Sequence, residues 1–228
     1  MAALIDTPVG FSDNVDIIRG LITTIIKEES ENQAVLTPAD ADKYALQVFE
    51  ENWYVWEQLA NADGNDAVAP LVNVWLTAEN SDPSASNRMQ RQKWTATFNV
   101  DVYGFGRARS DGGTGQVTGD VDAVAERSRA ASQVRKYIAA SKNWQLRNRG
   151  LVWGTRWADK EYFVPAVEEQ PARAVKAVRM SLEVEFSEFS PQFDGDILEF
   201  VSIDICQKDP FTGAVELAGE VDIDYTAP

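Results

Sequence analysis

The chain has 228 residues, 44% of them hydrophobic, with seven tryptophans and a net charge of −15. That apolar content excludes a disordered chain and suits one large domain or two small ones. The absence of histidine removes the commonest general base, the serine triad and most transition-metal sites.

No apolar run approaches the roughly 20 residues that a membrane-spanning helix needs. The first residues carry no basic segment, so no secretory signal is read there. The single cysteine, Cys206, cannot form an intramolecular disulfide. It suits a reducing cytoplasm as a buried, inert thiol in a strand. The charge is uneven. Residues 1–66 hold 13 acidic and 3 basic side chains, and residues 191–228 hold 9 and 1. Residues 111–160 reverse the balance, with 5 acidic and 9 basic. Acidic ends disfavour nucleic acid, because binding to phosphates relies on Lys and Arg. Room is left only for a local basic patch.

In chain order, Ser12 or Asp13 is placed to cap a helix reaching about Glu29. Ile17, Ile18, Leu21, Ile22, Ile25 and Ile26 recur on one side at helical spacing, which predicts core packing. Thr37-Pro38 can cap a second helix, with proline at its first position. Residues 43–60 carry two periods. Tyr44, Leu46 and Val48 alternate as in a strand, whereas Leu46, Phe49, Trp53 and Trp56 recur as in a helix. A strand to about Glu50 followed by a helical turn reconciles them, with Trp53 and Trp56 as core anchors in preference to an interface patch. Residues 61–66 read as a loop.

Residues 71–106 are the best-patterned part of the chain. Leu71–Ala78 is a short apolar strand following Pro70. In Arg91–Phe105, Trp94, Ala96, Phe98, Val100 and Val102 fall on one face, and Thr95, Thr97, Asn99, Asp101 and Tyr103 on the other. Side chains alternate across a strand, so the first face is built for burial and the second for water or a partner. Residues 79–90 between them are polar and longer than a tight hairpin turn requires. Long loops on a regular scaffold tend to bind.

Residues 109–120 are rich in glycine and read as a flexible loop. They lack the Gly-Lys-Ser/Thr ending of a phosphate-binding loop. Gly104 and Gly106 make no dinucleotide fingerprint either and mark a strand end. Asp120 is placed to cap a helix reaching about Lys142. Its stripe is Val121, Val124, Ala125, Ser128, Ala131, Val134 and Ile138, whose small members allow close approach to a sheet. Arg127, Arg129, Arg135 and Lys136 decorate the remainder, either as a solvated face or as partners for an acidic neighbour.

Leu151, Trp153, Thr155 and Trp157 alternate as a strand. Val178, Met180, Leu182, Val184 and Phe186 alternate with polar residues as a half-buried strand. Its neighbour is either the 95–103 strand or the 151–157 strand. Residues 191–228 form an acidic extension, with alternation at Val201, Ile203 and Ile205 and again at Val221, Ile223 and Tyr225. The resulting expectation is an α+β fold. A mostly antiparallel sheet carries two helices packed on one face, in a domain over 1–190, followed by a β extension over 191–228.

Catalytic candidates are few. Cys206 has no histidine to activate it. Asp194 with Asp196, or Asp222 with Asp224, could share a magnesium ion in a nuclease-like site. Charged residues alternating on the wet face of a strand give the same spacing without any metal. The reading is therefore of a non-enzyme with no cofactor and no metal. A carboxylate-dependent enzyme acting on nucleic acid, and a soluble binding module, stand as alternatives.

One stretch resembles a known family. Val72–Trp75, Ser84, Ser86–Asn87, Arg91–Lys93, Thr97, Asn99, Asp101, Tyr103–Gly104 and Gly106 resemble the tail terminator, or tail completion, proteins of long-tailed bacteriophages. The likeness is specific over about 35 residues and compatible in layout elsewhere. It implies a structural virion protein, assembled in the host cytoplasm and residing in the tail or neck. It implies a homo-oligomer, a hexameric ring that caps the tail tube and joins it to the head-side connector. Tail tube protein and connector protein are then the partners. DNA passes the channel without specific binding, and no membrane is involved. Another neck or tube component is the nearest alternative. The interface residues expected on this reading are Glu79, Asn80, Asp82, Ser84, Ser86, Asn87, Arg88 and Arg91 at the hairpin, with Arg127, Arg129, Arg135 and Lys136 on the second helix.

Overall fold

A computed structural model describes residues 13–52, 69–81, 91–106, 109–110, 116–165, 174–189, 200–208 and 215–224. The chain divides into two compact units, the larger of which is Gly10–Ser190 and not the whole of residues 1–190.

The larger unit opens with α1, Asn14–Leu36. Its cap is Asp13, whose Oδ1 accepts from the Val15 amide at 3.1 Å. That bond satisfies one of the amides a helix start leaves without a partner. Val15, Ile18, Ile22, Ile25 and Ile26 are buried, as their spacing predicts. Each such side chain contributes roughly 1.5–3 kcal/mol on leaving water. Ile17 instead stays exposed. The helix also continues two turns past Glu29, since nothing before Thr37-Pro38 interrupts it. The helix expected at Pro38 is a short 3-10 turn, Pro38–Lys43. Thr37 does not cap it and donates its hydroxyl backwards to the Gln33 carbonyl at 2.7 Å.

Strand β1, Gln47–Glu50, lies parallel to β2, Leu71–Ser81. Trp53, Trp56 and the 61–66 loop lie outside the described residues. Strand β2 pairs antiparallel with β3, Arg91–Gly106, from Leu71↔Tyr103 to Ser81↔Trp94, with a bulge between Leu76 and Ala78. The hairpin loop therefore begins later than its polarity suggested. Glu79 and Asn80 are strand residues opposite Ala96 and Thr95, because β3 offers them a ladder of backbone hydrogen bonds whatever their side chains.

A two-residue ladder, β4 (Arg109–Ser110) with β5 (Gln116–Val117), frames the glycine-rich stretch. Helix α2 spans Gly119–Ala139. It starts and ends earlier than expected. Thr118 is the capping residue, without a side-chain bond, and Asp120 lies inside the first turn. Negative charge there still complements the helix dipole. The turns after α2 are tied by buried Asn143, which donates to the Tyr137 carbonyl at 2.8 Å and accepts from Arg147 Nε at 2.9 Å.

Strands β6, Val152–Phe163, and β7, Ala174–Phe189, complete a five-stranded mixed sheet of order β1-β2-β3-β7-β6. Strand β7 pairs with both of its candidate neighbours. The fold is α+β, with both helices on one face. Ala96, Phe98, Val100 and Val102 of β3 share the main core with Val178–Phe186 alternates of β7 and the apolar sides of α1 and α2.

The stripe of α2 is shifted from the expected one. Ala123, Ala130, Ala131, Val134, Tyr137 and Ile138 are buried, whereas Val121, Val124, Ala125 and Ser128 are exposed. Two glycines account for the shift. A Cβ on Gly104 would lie 2.3 Å from the Arg127 amide nitrogen, and one on Gly106 would lie 2.1 Å from the Gly119 carbonyl oxygen. The helix backbone rests directly on β3, so Gly104 and Gly106, which close the strand as expected, are also a docking notch for the helix.

The smaller unit contains an antiparallel pair, β8 (Phe200–Lys208) and β9 (Val215–Asp224).

Candidate assembly surfaces

The sheet face away from the helices carries the polar half of β3. Its chemistry suggested contact with water or a partner, and Thr95 and Thr97 are half-buried there. Asn73, Asn99, Asp101 and Tyr103 are each buried. Asp101 accepts two bonds from Arg179 on β7, at 2.8 and 2.9 Å, and a third from the Trp75 indole at 3.1 Å. The Arg179 guanidinium also lies over the rings of Trp75 (4.9 Å) and Phe163 (5.2 Å). Tyr103 meets Phe163 edge to face, with centroids 6.2 Å apart. Asn73 exchanges two bonds with the Asn52 backbone, at 3.1 and 2.9 Å.

Hydrogen bonding to Asp101 holds the Arg179 guanidinium above its ordinary range. Burial, then the Asp101 charge, pushes the Tyr103 phenol up. Above this floor is an open concavity of about 510 Å³, reached also by Glu51, Val164 and Pro165. Its polar lining is engaged with itself, so it pins strand register and offers no empty donor set.

On the helix face, the four basic residues expected to act together fall on two flanks of α2. Arg129 and Lys136 face the C-terminal half of α1. They line a cavity of about 540 Å³ with Lys43, Tyr44, Gln133 and Tyr137. Arg129 pairs with Glu126 and Lys43 with Asp40. Burial pushes the Tyr137 phenol up to about 12.

Arg127 and Arg135 turn the other way, toward the free edge strand β6. The Arg127 guanidinium sits 4.5 Å from the centre of the Tyr162 ring, and Lys160 Nζ sits 4.8 Å from it. A hydrogen bond with Lys160 is the main cause that lowers the Tyr162 phenol, followed by the charges of Lys160, Arg127 and Arg135. Among the described residues, none of these three cations forms an ion pair. Lys160 and Tyr162 were not singled out from the sequence. Their signal was a two-residue spacing on a strand, which puts both on one face.

Of the hairpin residues, Glu79 and Asn80 sit at the end of β2 and Arg91 at the start of β3. Asp82, Ser84, Ser86, Asn87 and Arg88 lie outside the described residues, as do Asp194 and Asp196. Asp222 and Asp224 belong to β9. Burial, then Asp13, Glu188 and Asp16, raises the Glu79 carboxyl. The end of β2 thus meets the start of α1 in an acidic corner. Among the described residues, no three His, Cys, Asp or Glu side chains gather into a metal-holding group. No described helix is long and apolar enough to cross a membrane.

No protein-family model matches the chain, and no curated protein matches it either.

Proposed function

We propose that the chain is a structural component of a bacteriophage virion, a tail terminator that closes into a ring on the finished tail tube and meets the head-side connector. The observation that carries this reading is the patterned stretch 71–106. Its alternate residues have separate jobs in one strand pair. Asn99 and Asp101 pin the open face, and Gly104 and Gly106 seat α2. A continuous sheet of long paired strands suits a subunit whose work is geometric.

The mechanism is closure. A ring with one tube-like face and one connector-like face stops tube growth, because no further tube subunit finds its own kind of surface. The role is assembly, not catalysis, in keeping with the lack of histidine. The net charge of −15 favours a channel that DNA passes without sticking.

The test is mass measurement of the purified chain, alone and with tail tubes lacking their terminator, together with electron microscopy of the tube ends. A ring-sized mass and capped tubes of uniform length are expected. A chain that neither oligomerises nor binds tube ends overturns the reading.

A further inference from the structure

We infer that the α2–β6 flank, formed by Arg127, Arg135, Lys160 and Tyr162, binds the acidic corner of a second copy of this chain, formed by Asp13, Asp16, Glu79 and Glu188. This inference rests on the ring reading and deepens it by naming the two surfaces that meet.

The basic flank stands on geometry. Arg127 and Arg135 are two turns apart on α2 and so share a side. Lys160 and Tyr162 pair with Met180 and Val178 and share the helix face of the sheet. Cations stack from two directions on the Tyr162 ring, which is 57% exposed. Val121 and Val124, also exposed, extend the same side of the helix. An exposed aromatic and two valines amid cations that form no ion pair among the described residues is the composition of an interface, apolar at its centre and charged around it. Strand β6 is also an edge of the five-stranded sheet, with no further strand paired to it among the described residues.

The occupant follows from charge. Glu79 pairs with Ala96, and Glu188 with Gln92, so both lie on the helix face near the start of α1. Arg19 is a cation at this corner, and among the described residues it is already shared among Asp16 (2.8 Å), Glu51 (2.9 Å) and Glu50 (3.7 Å). Asp13, Glu79 and Glu188 form no ion pair among the described residues. The corner is thus left with surplus negative charge.

The two surfaces lie at opposite ends of a diagonal. From β2 to β6 is three strand spacings, about 14 Å, and from the Ala96 row to the Val102 row is six residues, about 20 Å. One copy cannot join its own surfaces. Two copies side by side can, leaving the same pair open for the next. A head-to-tail contact of this kind propagates and closes into a ring when the rotation permits.

The experiment uses the full chain. One variant reverses the basic flank (R127E, R135E, K160E) and another reverses the acidic corner (D16K, E79K, E188K). Circular dichroism checks folding, and light scattering reads mass at matched concentrations. Each variant alone is expected to lose self-association by at least tenfold in apparent affinity, about one decade per 1.4 kcal/mol lost. An equimolar mixture is expected to recover it, since the first variant is acidic on both surfaces and the second basic on both. Should either variant fail to fold, single reversals at Arg135 and Glu188, both exposed, carry the same test. A wild-type oligomer indifferent to both reversals overturns this pairing and leaves the ring reading intact. A wild-type chain that stays monomeric even on tail tubes overturns both.

Discussion

The two faces of the central sheet are buried by different means. On the helix face, Phe98, Val100, Met180 and Leu182 pack under α1 and α2, and burial is hydrophobic. On the open face, Asp101, Asn99 and Asn73 are almost as inaccessible, yet no described helix covers them. Their neighbours on adjacent strands do so, with Arg179, Trp75 and Ser181 closing over or beside them. The contrast is one of chemistry. Apolar side chains exclude water on one face, whereas on the other each buried polar group is matched by a hydrogen-bonding partner.

The largest expected effect tests the helix face. Gly104→Val places carbon where the α2 backbone already lies, with clashes of 2.3 Å to the Arg127 nitrogen and 2.4 Å to the Ala123 oxygen. The helix must lift from β3, at about 3 kcal/mol or more, the upper end for overpacking. Chemical denaturation reads the loss, and an unchanged midpoint would show that α2 does not rest on this glycine.

The open face should break more gently. Asp101→Ala leaves the Arg179 guanidinium without its carboxylate, a loss of about 2–3 kcal/mol, below that of a fully buried pair because Arg179 is one-third exposed. The double change D101L/R179M is expected to recover most of it, since an apolar pair of similar bulk carries no desolvation cost. If the double variant is no better than the single, the bond network contributes more than the removal of a stranded charge.

The smallest effect lies at the junction of α1 with the turns after α2. Glu29 accepts from Lys142 at 2.7 Å and from Arg147 at 2.8 Å, and the Lys142 bond is the main cause that lowers its carboxyl from 4.5. A carboxyl lowered on folding contributes stability that is complete above its unfolded value. That contribution fades as pH falls through the folded value. Wild type should therefore lose stability below about pH 4.5 more steeply than Glu29→Gln. Urea melts at pH 3.5 and 5.5 read the difference, and parallel slopes would exclude this carboxylate as a contributor.

Much of the fold was legible in the residues themselves. The period of two at Trp94–Val102 and Val178–Phe186 named the strands and their buried faces, because a strand's alternation is local geometry. The isoleucine spacing named α1 and its buried side, for the same reason. What local geometry does not contain is the neighbour. The order β1-β2-β3-β7-β6, the strand character of Glu79 and Asn80, and the burial of Asp101 each depend on a partner strand. The α2 stripe was displaced because its position is dictated by a notch at Gly104 and Gly106, distant in sequence. The helical period already sets Arg127 with Arg135 and Arg129 with Lys136 on different sides. The rotation of the helix on its sheet decides what each side meets, β6 for the first pair and α1 for the second.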